Sequence, residues 1–258
     1  MARPKLESLI RIADSMAVGT ITTGGSPYNV TMSAADFTLT AGISSSKSFL
    51  TYFKERVEAA VGSGTCTMTL DDTSDTATGK VTFAFSANFT FAWTSTTIRD
   101  LLGFTGDLST AATASFQGSK QSTHVWLPDV GRTNPEGPEG GGGSIEHDAT
   151  LGVATSGALT SLGYSYRRLA VFEFVMVGAP KTWSVSESTP NESFETFFLS
   201  GGLVYGKPFR YFPDRSDDAS STLWIREPGL WAPTAMVAGW TGSKSRWGFG
   251  FRARKYTP

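Results

Sequence analysis

The sequence predicts a mainly β chain with a few short helices, of α+β class, built from antiparallel sandwich- or barrel-like units in two domains. Three observations predict it. Short runs alternate apolar and polar residues, as half-buried strands do; Gly, Ser and Thr crowd the stretches between them; and one Gly/Pro-rich segment interrupts the chain. A length of 258 residues suits one large all-β domain or two smaller ones. The expected division is 1–130 as an N-terminal β/helix/β unit, 131–144 as a linker or arm, and 145–258 as a β-rich domain with one packed helix. From Gly131 to Ser144 the density of Pro and Gly opposes regular structure.

In the first unit, Tyr28, Val30 and Met32 alternate with Asn29, Thr31 and Ser33, and Phe37 and Leu39 continue the pattern. A helix over 48–61 follows from apolar Phe49, Phe53, Val57 and Val61, widened by Leu50 and Ala60, with Lys54, Glu55 and Glu58 opposite. Ser44 to Ser46 offer N-caps and Gly62 a stop. Cys66, Met68 and Leu70 share one face of the next strand, and a turn rich in aspartate leads to Val81, Phe83 and Phe85. Phe89, Phe91 and Trp93 face one way on the strand after that, which makes a meander the expectation. Thr97 with Asp100 caps a short helix carrying Ile98, Leu101 and Leu102, closed by Gly103.

In the second half, 168–177 is apolar on nearly both faces, as a covered central strand would be. Thr189, Pro190 and Glu192 supply the start of a helix bearing Phe194, Phe197, Phe198 and Leu199. Short strands are expected around Leu203 to Tyr205, Phe209 to Phe212 and Thr222 to Arg226. The last strand sets Trp247, Phe249 and Phe251 against Arg246, Gly248, Gly250 and Arg252.

Composition narrows the function classes. The formal charge is -1 and charged residues make up 17%, below the roughly 25% of ordinary soluble proteins. A nucleic-acid partner is therefore not expected, since phosphate neutralisation needs a broad basic excess. The basic tail Lys244, Arg246, Arg252, Arg254 and Lys255 reads as a strand face or protein interface. The start of the chain is broken by Glu7, Arg11 and Asp14 and does not read as a signal peptide. No run approaches the roughly 18–20 apolar residues of a spanning helix, so no membrane partner is expected.

Candidate chemistry is sparse. The lone Cys66 forms no intramolecular disulfide and reads as a buried inert thiol. His124 and His147 are the two histidines, and no Gly-x-Ser-x-Gly elbow presents a nucleophile to either. Asp71, Asp72 and Asp75, like Asp214, Asp217 and Asp218, lack the loop pattern of a calcium site and read as turn residues. Gly140 to Gly143 lack the lysine of a phosphate loop. No catalytic, cofactor-binding or metal residues are assigned, no cofactor and no small-molecule substrate are expected, and the chain is not read as an enzyme.

The order of pieces carries a resemblance. Asp36 to Thr40, the helix at 48–61, the strand pair through Gly79 to Phe83 and Phe89 to Trp93, and the closing Leu101-Leu102-Gly103-Phe104-Thr105-Gly106 resemble a module of tailed-bacteriophage virion proteins. The likeness covers roughly 28–128. Phe194 to Phe198, followed by Gly206 to Asp214, is similar to tail and baseplate proteins in which a helix precedes an apolar-Arg-aromatic-Pro-Asp strand. The resemblance implies a non-enzymatic structural or assembly protein of the tail, connector or baseplate, assembled in the host cytoplasm and resident in the virion. Its implied partners are copies of itself and neighbouring virion proteins. The alternative is a receptor- or glycan-binding fibre or capsid decoration protein, with Trp126, Trp183, Trp224, Trp231 and Trp240 as stacking platforms. The segment 129–146 is expected to act as an intersubunit arm.

Overall fold

The computed structural model describes residues 5–43, 47–74, 77–109, 113–127, 133–136, 144–153, 159–177, 197, 199, 201, 206–217, 219, 221–226 and 246–256. The chain is β-rich with few helices, and its several antiparallel sheets are all open, in keeping with the expected α+β class.

The N-terminal half packs two small sheets and a helix around one core. In the first sheet, β3 (Met16–Thr23) is central between β4 (Ser26–Met32) and β8 (Phe89–Trp93). The β3–β4 hairpin turns on Gly24 and Gly25, both at positive φ, which matches the twist of the strands it joins. In the second sheet, β7 (Val81–Phe85) lies between β6 (Cys66–Leu70) and β9 (Ser115–Gln117). The expected meander is therefore not formed. β7 and β8 are adjacent in sequence but belong to different sheets, and their aromatic faces meet: Phe83 lies 4.7 Å from Phe89 and 5.5 Å from Phe91, ring centre to ring centre. Burying both aromatic faces against each other removes more apolar surface from water than a flat meander would.

Helix α1 (Phe49–Val61) fills the side of this sandwich, placing Phe53 against Phe83 (5.6 Å), Phe91 (6.1 Å) and Trp93 (6.1 Å). The apolar stripe and the Gly62 stop are as expected; Gly62 has φ 73° and its N–H donates to the Glu58 carbonyl. The N-cap is Ser48, whose hydroxyl accepts from the Thr51 N–H, rather than Ser44 to Ser46, which lie outside the described residues. Helix α2 (Thr96–Leu101) likewise takes Ser95 as its cap, not Thr97: the Ser95 hydroxyl accepts from the Ile98 N–H. After it, Gly103 is left-handed at φ 81°, and buried Phe104 stacks on Trp93 at 5.6 Å, reaching α1 through that ring.

A two-stranded sheet joins β2 (Ile10–Ile12) to β5 (Ala35–Phe37). The largest sheet has eight strands, in the order β10 (Val125–Trp126), β1 (Lys5–Ser8), β14 (Pro208–Phe212), β15 (Thr222–Arg226), β16 (Arg246–Lys255), β13 (Leu159–Val177) and β11 (Thr133–Glu136), with β12 (Ser144–Val153) also on β13. It draws strands from both sides of the segment 131–144. Within that segment, Thr133–Glu136 is paired with β13 and Ser144 begins β12, so part of the expected irregular stretch is strand; Pro135 stands opposite Phe172. Residues 137–143, and the expected helix start at 189–192, lie outside the described residues.

Candidate functional site

Two features of the large sheet stand out, a buried charge cluster at one side and an unpaired ribbon at the other. The cluster forms where β1 enters the sheet. Alternation along β1 sends Lys5 and Glu7 to the same face, toward the N-terminal core, and both are fully buried. Lys5 Nζ donates to Asp72 Oδ2 at 2.6 Å and to Thr40 Oγ1 at 3.1 Å, lies 3.1 Å from Glu7 Oε1, and sits 4.1 Å from the centre of the Phe212 ring. The Thr40 backbone N–H and hydroxyl donate to the two oxygens of Glu7, at 2.9 and 2.6 Å. Arg210, the register partner of Glu7 across β14, donates to the Ser221 hydroxyl and the Gly42 carbonyl. Burial lowers the Arg210 pKa and the Glu7 carboxylate opposes that, yet a guanidinium stays charged throughout.

Lysine has three ammonium donors, and here three oxygens surround them. Such a cluster has the chemistry of a clamp. Two cations, Lys5 and Arg210, and two carboxylates, Glu7 and Asp72, offset each other's loss of hydration only in this one register of β1 against β14.

The second feature is the ribbon. Leu169 of β13 pairs with Ser144 on one edge and Arg254 on the other, so β12 and β16 flank β13 on opposite sides. β16 covers β13 from Leu169 to Val177, and from Leu159 to Arg168 the pairing among the described residues is with β12 alone. This leaves a two-stranded ribbon about 30 Å long at roughly 3.3 Å per residue. Glu146 is the register partner of Arg167.

Several other strand edges carry caps. On β4 the Thr31 carbonyl accepts from Arg56 Nε at 2.7 Å, the Ser33 N–H donates to the Tyr52 hydroxyl, and Pro27 has no N–H to offer. On β6 the Cys66 N–H donates to Glu58 at 2.9 Å. β8 exchanges hydrogen bonds with Leu108 and its Trp93 N–H donates to Asp107, while the Val125 carbonyl of β10 accepts from Gln121.

The remaining sequence candidates fall into ordinary roles. Cys66 is buried, and burial with the nearby Glu58 carboxylate pushes its thiol up to about 12. Burial, aided by Lys207, lowers His124 to about 3, and its ring lies 3.0 Å from the Thr123 hydroxyl; His147 sits in β12 opposite Tyr166, far along the chain. Asp71 accepts from both Thr78 donors, and Asp214 from both Ser216 donors, which lower its pKa. Both are turn contacts. Asp72 is the exception, a turn acid recruited to Lys5. Trp126 and Trp224 are buried rather than offered as platforms, whereas Trp183, Trp231 and Trp240 lie outside the described residues, as do Asp75, Asp218, Gly140 to Gly143 and Lys244. Arg246, Arg252, Arg254 and Lys255 all belong to β16.

Sequence reasoning passed over Lys5, Glu7 and Arg210. A Lys-x-Glu near a chain start reads as solvated, and only its partners' distant positions, 40, 72 and 210, reveal its burial. Among the described residues no helix is long and apolar enough to cross a membrane. No protein-family model matches the chain, and no curated protein or solved structure matches it.

Proposed function

We propose that this chain is a non-enzymatic virion structural protein of a tailed phage, a tail, connector or baseplate component that assembles in the host cytoplasm and acts as a symmetric homo-oligomer. The observation that carries the reading is the ribbon of β12 and β13. A two-stranded ribbon by itself is at best marginally stable in water, so nine paired positions beyond the part of β13 that β16 covers call for a neighbour. The caps on β4, β6, β8 and β10 argue the same way, because groups spent on capping those edges are withdrawn from association there. The order of pieces in the N-terminal unit, strand, helix, strand pair and short helix ending in Leu-Gly-Phe, supplies the link to phage particles.

The test is assembly. Purified protein is expected to form rings or discs by negative-stain electron microscopy and a matching mass by light scattering. Replacing residues 149–164 with a short Gly-Ser turn should give a monomer of unchanged core melting temperature. A wild-type protein that stays monomeric at high concentration would refute the reading.

A further inference from the structure

We propose that the edge of β13 between Leu159 and Arg168 that no described strand adjoins pairs, antiparallel, with the outer edge of β12 in a second copy of this chain, an inference that rests on the assembly reading above. The backbone shows which amides are available. Proline in a strand keeps its nitrogen turned away from the ladder, so Pro135 of β11 marks its partner Phe172 as bonding toward β16 instead. The other end of the sheet agrees. The Tyr256 N–H donates to the Leu223 carbonyl, so even-numbered residues at this end of β16 bond toward β15 and odd-numbered ones, Phe251 among them, bond toward β13; Phe251 is the register partner of Phe172. Alternation along β13 then turns the N–H and C=O of Tyr164 and Tyr166 away from β12, to the edge that no described strand adjoins.

The same parity sets the outer groups of β12 at Ile145, His147 and Ala149. Each copy thus carries two open edges of equal length, sharing one register shift between Ala149 and Thr150 and hence one local twist. A two-fold contact through β13 would satisfy one edge of each copy and leave the other open. Head-to-tail pairing of β13 with β12 of the next copy satisfies both, and such contacts close into rings when the rotation permits. The occupant is a second copy because the two edges match each other in length, in the parity of their outward groups and in the place of the register shift, whereas the edges of β4, β6, β8 and β10 carry caps.

The experiment compares wild type with Tyr166→Pro at equal concentration. Proline at this position removes an N–H that points off the ribbon and spares the internal ladder, as Pro135 does in β11. Loss of the oligomer, by at least tenfold in association constant on sedimentation, with an unchanged melting temperature is the expected result. An oligomer of undiminished affinity would overturn the edge pairing and leave the assembly reading standing, whereas a monomeric wild type would overturn both. Hydrogen exchange on the wild-type protein decides the matter if the variant misfolds: the Tyr164 and Tyr166 amides should gain protection on assembly, and equal exchange in dilute and assembled protein would overturn the pairing.

Discussion

Lys5 is a buried ammonium held by Asp72, Glu7 and Thr40, and its value lies in completeness. Lys5→Met leaves Asp72 and Glu7 buried with a deficit of positive charge, and should destabilise by about 3–5 kcal/mol in denaturant unfolding. The double variant Lys5→Met/Asp72→Leu should recover part of that loss; a double variant as unstable as the sum of its singles would show that the pair is not coupled. Gly103 holds a second strict position. A Cβ there would come within 2.1 Å of the Lys120 carbonyl oxygen at a φ of 81°, so Gly103→Val should cost at least about 1 kcal/mol in melting experiments. The Cys66 thiol, pushed up to about 12, should resist alkylation at pH 8 in the folded protein and react on unfolding. For His124 the folded value is lowered to about 3 from 6.5, so the unfolded chain binds the proton first. Stability should fall as pH drops from 6.5 toward 3, and His124→Asn should flatten that part of the profile. Residues such as Gly103 were legible because a local rule governs them. Lys5 was not, because nothing within ten residues of it says that it is buried.

At the scale of elements, legibility followed the regularity of the pattern. α1 was readable in its stripe, polar face and glycine stop, which follow one period and one local rule, but its cap, Ser48, lies a few residues later than the serines expected to supply it. β3 was not, because a bulge between Ala17 and Gly19 places buried Val18 and Ile21 three apart, which belongs neither to a simple strand nor to a helix. Gly19 itself meets Phe91, whose ring carbon would lie 2.3 Å from an added Cβ. β7 and β8 were each correctly delimited, yet their assignment to separate sheets depends on Phe83 facing Phe89, a tertiary fact. The cap on β4 gives a prediction at this scale. Pro27→Val with Arg56→Ala restores an edge N–H and frees the Thr31 carbonyl. Melting temperature should move little, while light scattering of concentrated protein should rise with time.

Across the whole molecule, the large sheet ties the chain's start to its last third through β1 and β14. Removing residues 1–8 should therefore expose the edges of β10 and β14 together and lower the cooperativity of unfolding, seen as a smaller m-value. The pairing of Glu7 with Arg210 also has a consequence for synthesis. At ~5–20 residues per second, the roughly 200 residues between them take about 10–40 s to be made. Through that interval the first strand has emerged from the ribosome with no partner on its β14 side. Lys5 and Glu7 are then hydrated, and a nascent strand bearing both charges is a poor nucleus for aggregation. The clamp of the finished sheet thus begins as the guard of an unfinished one.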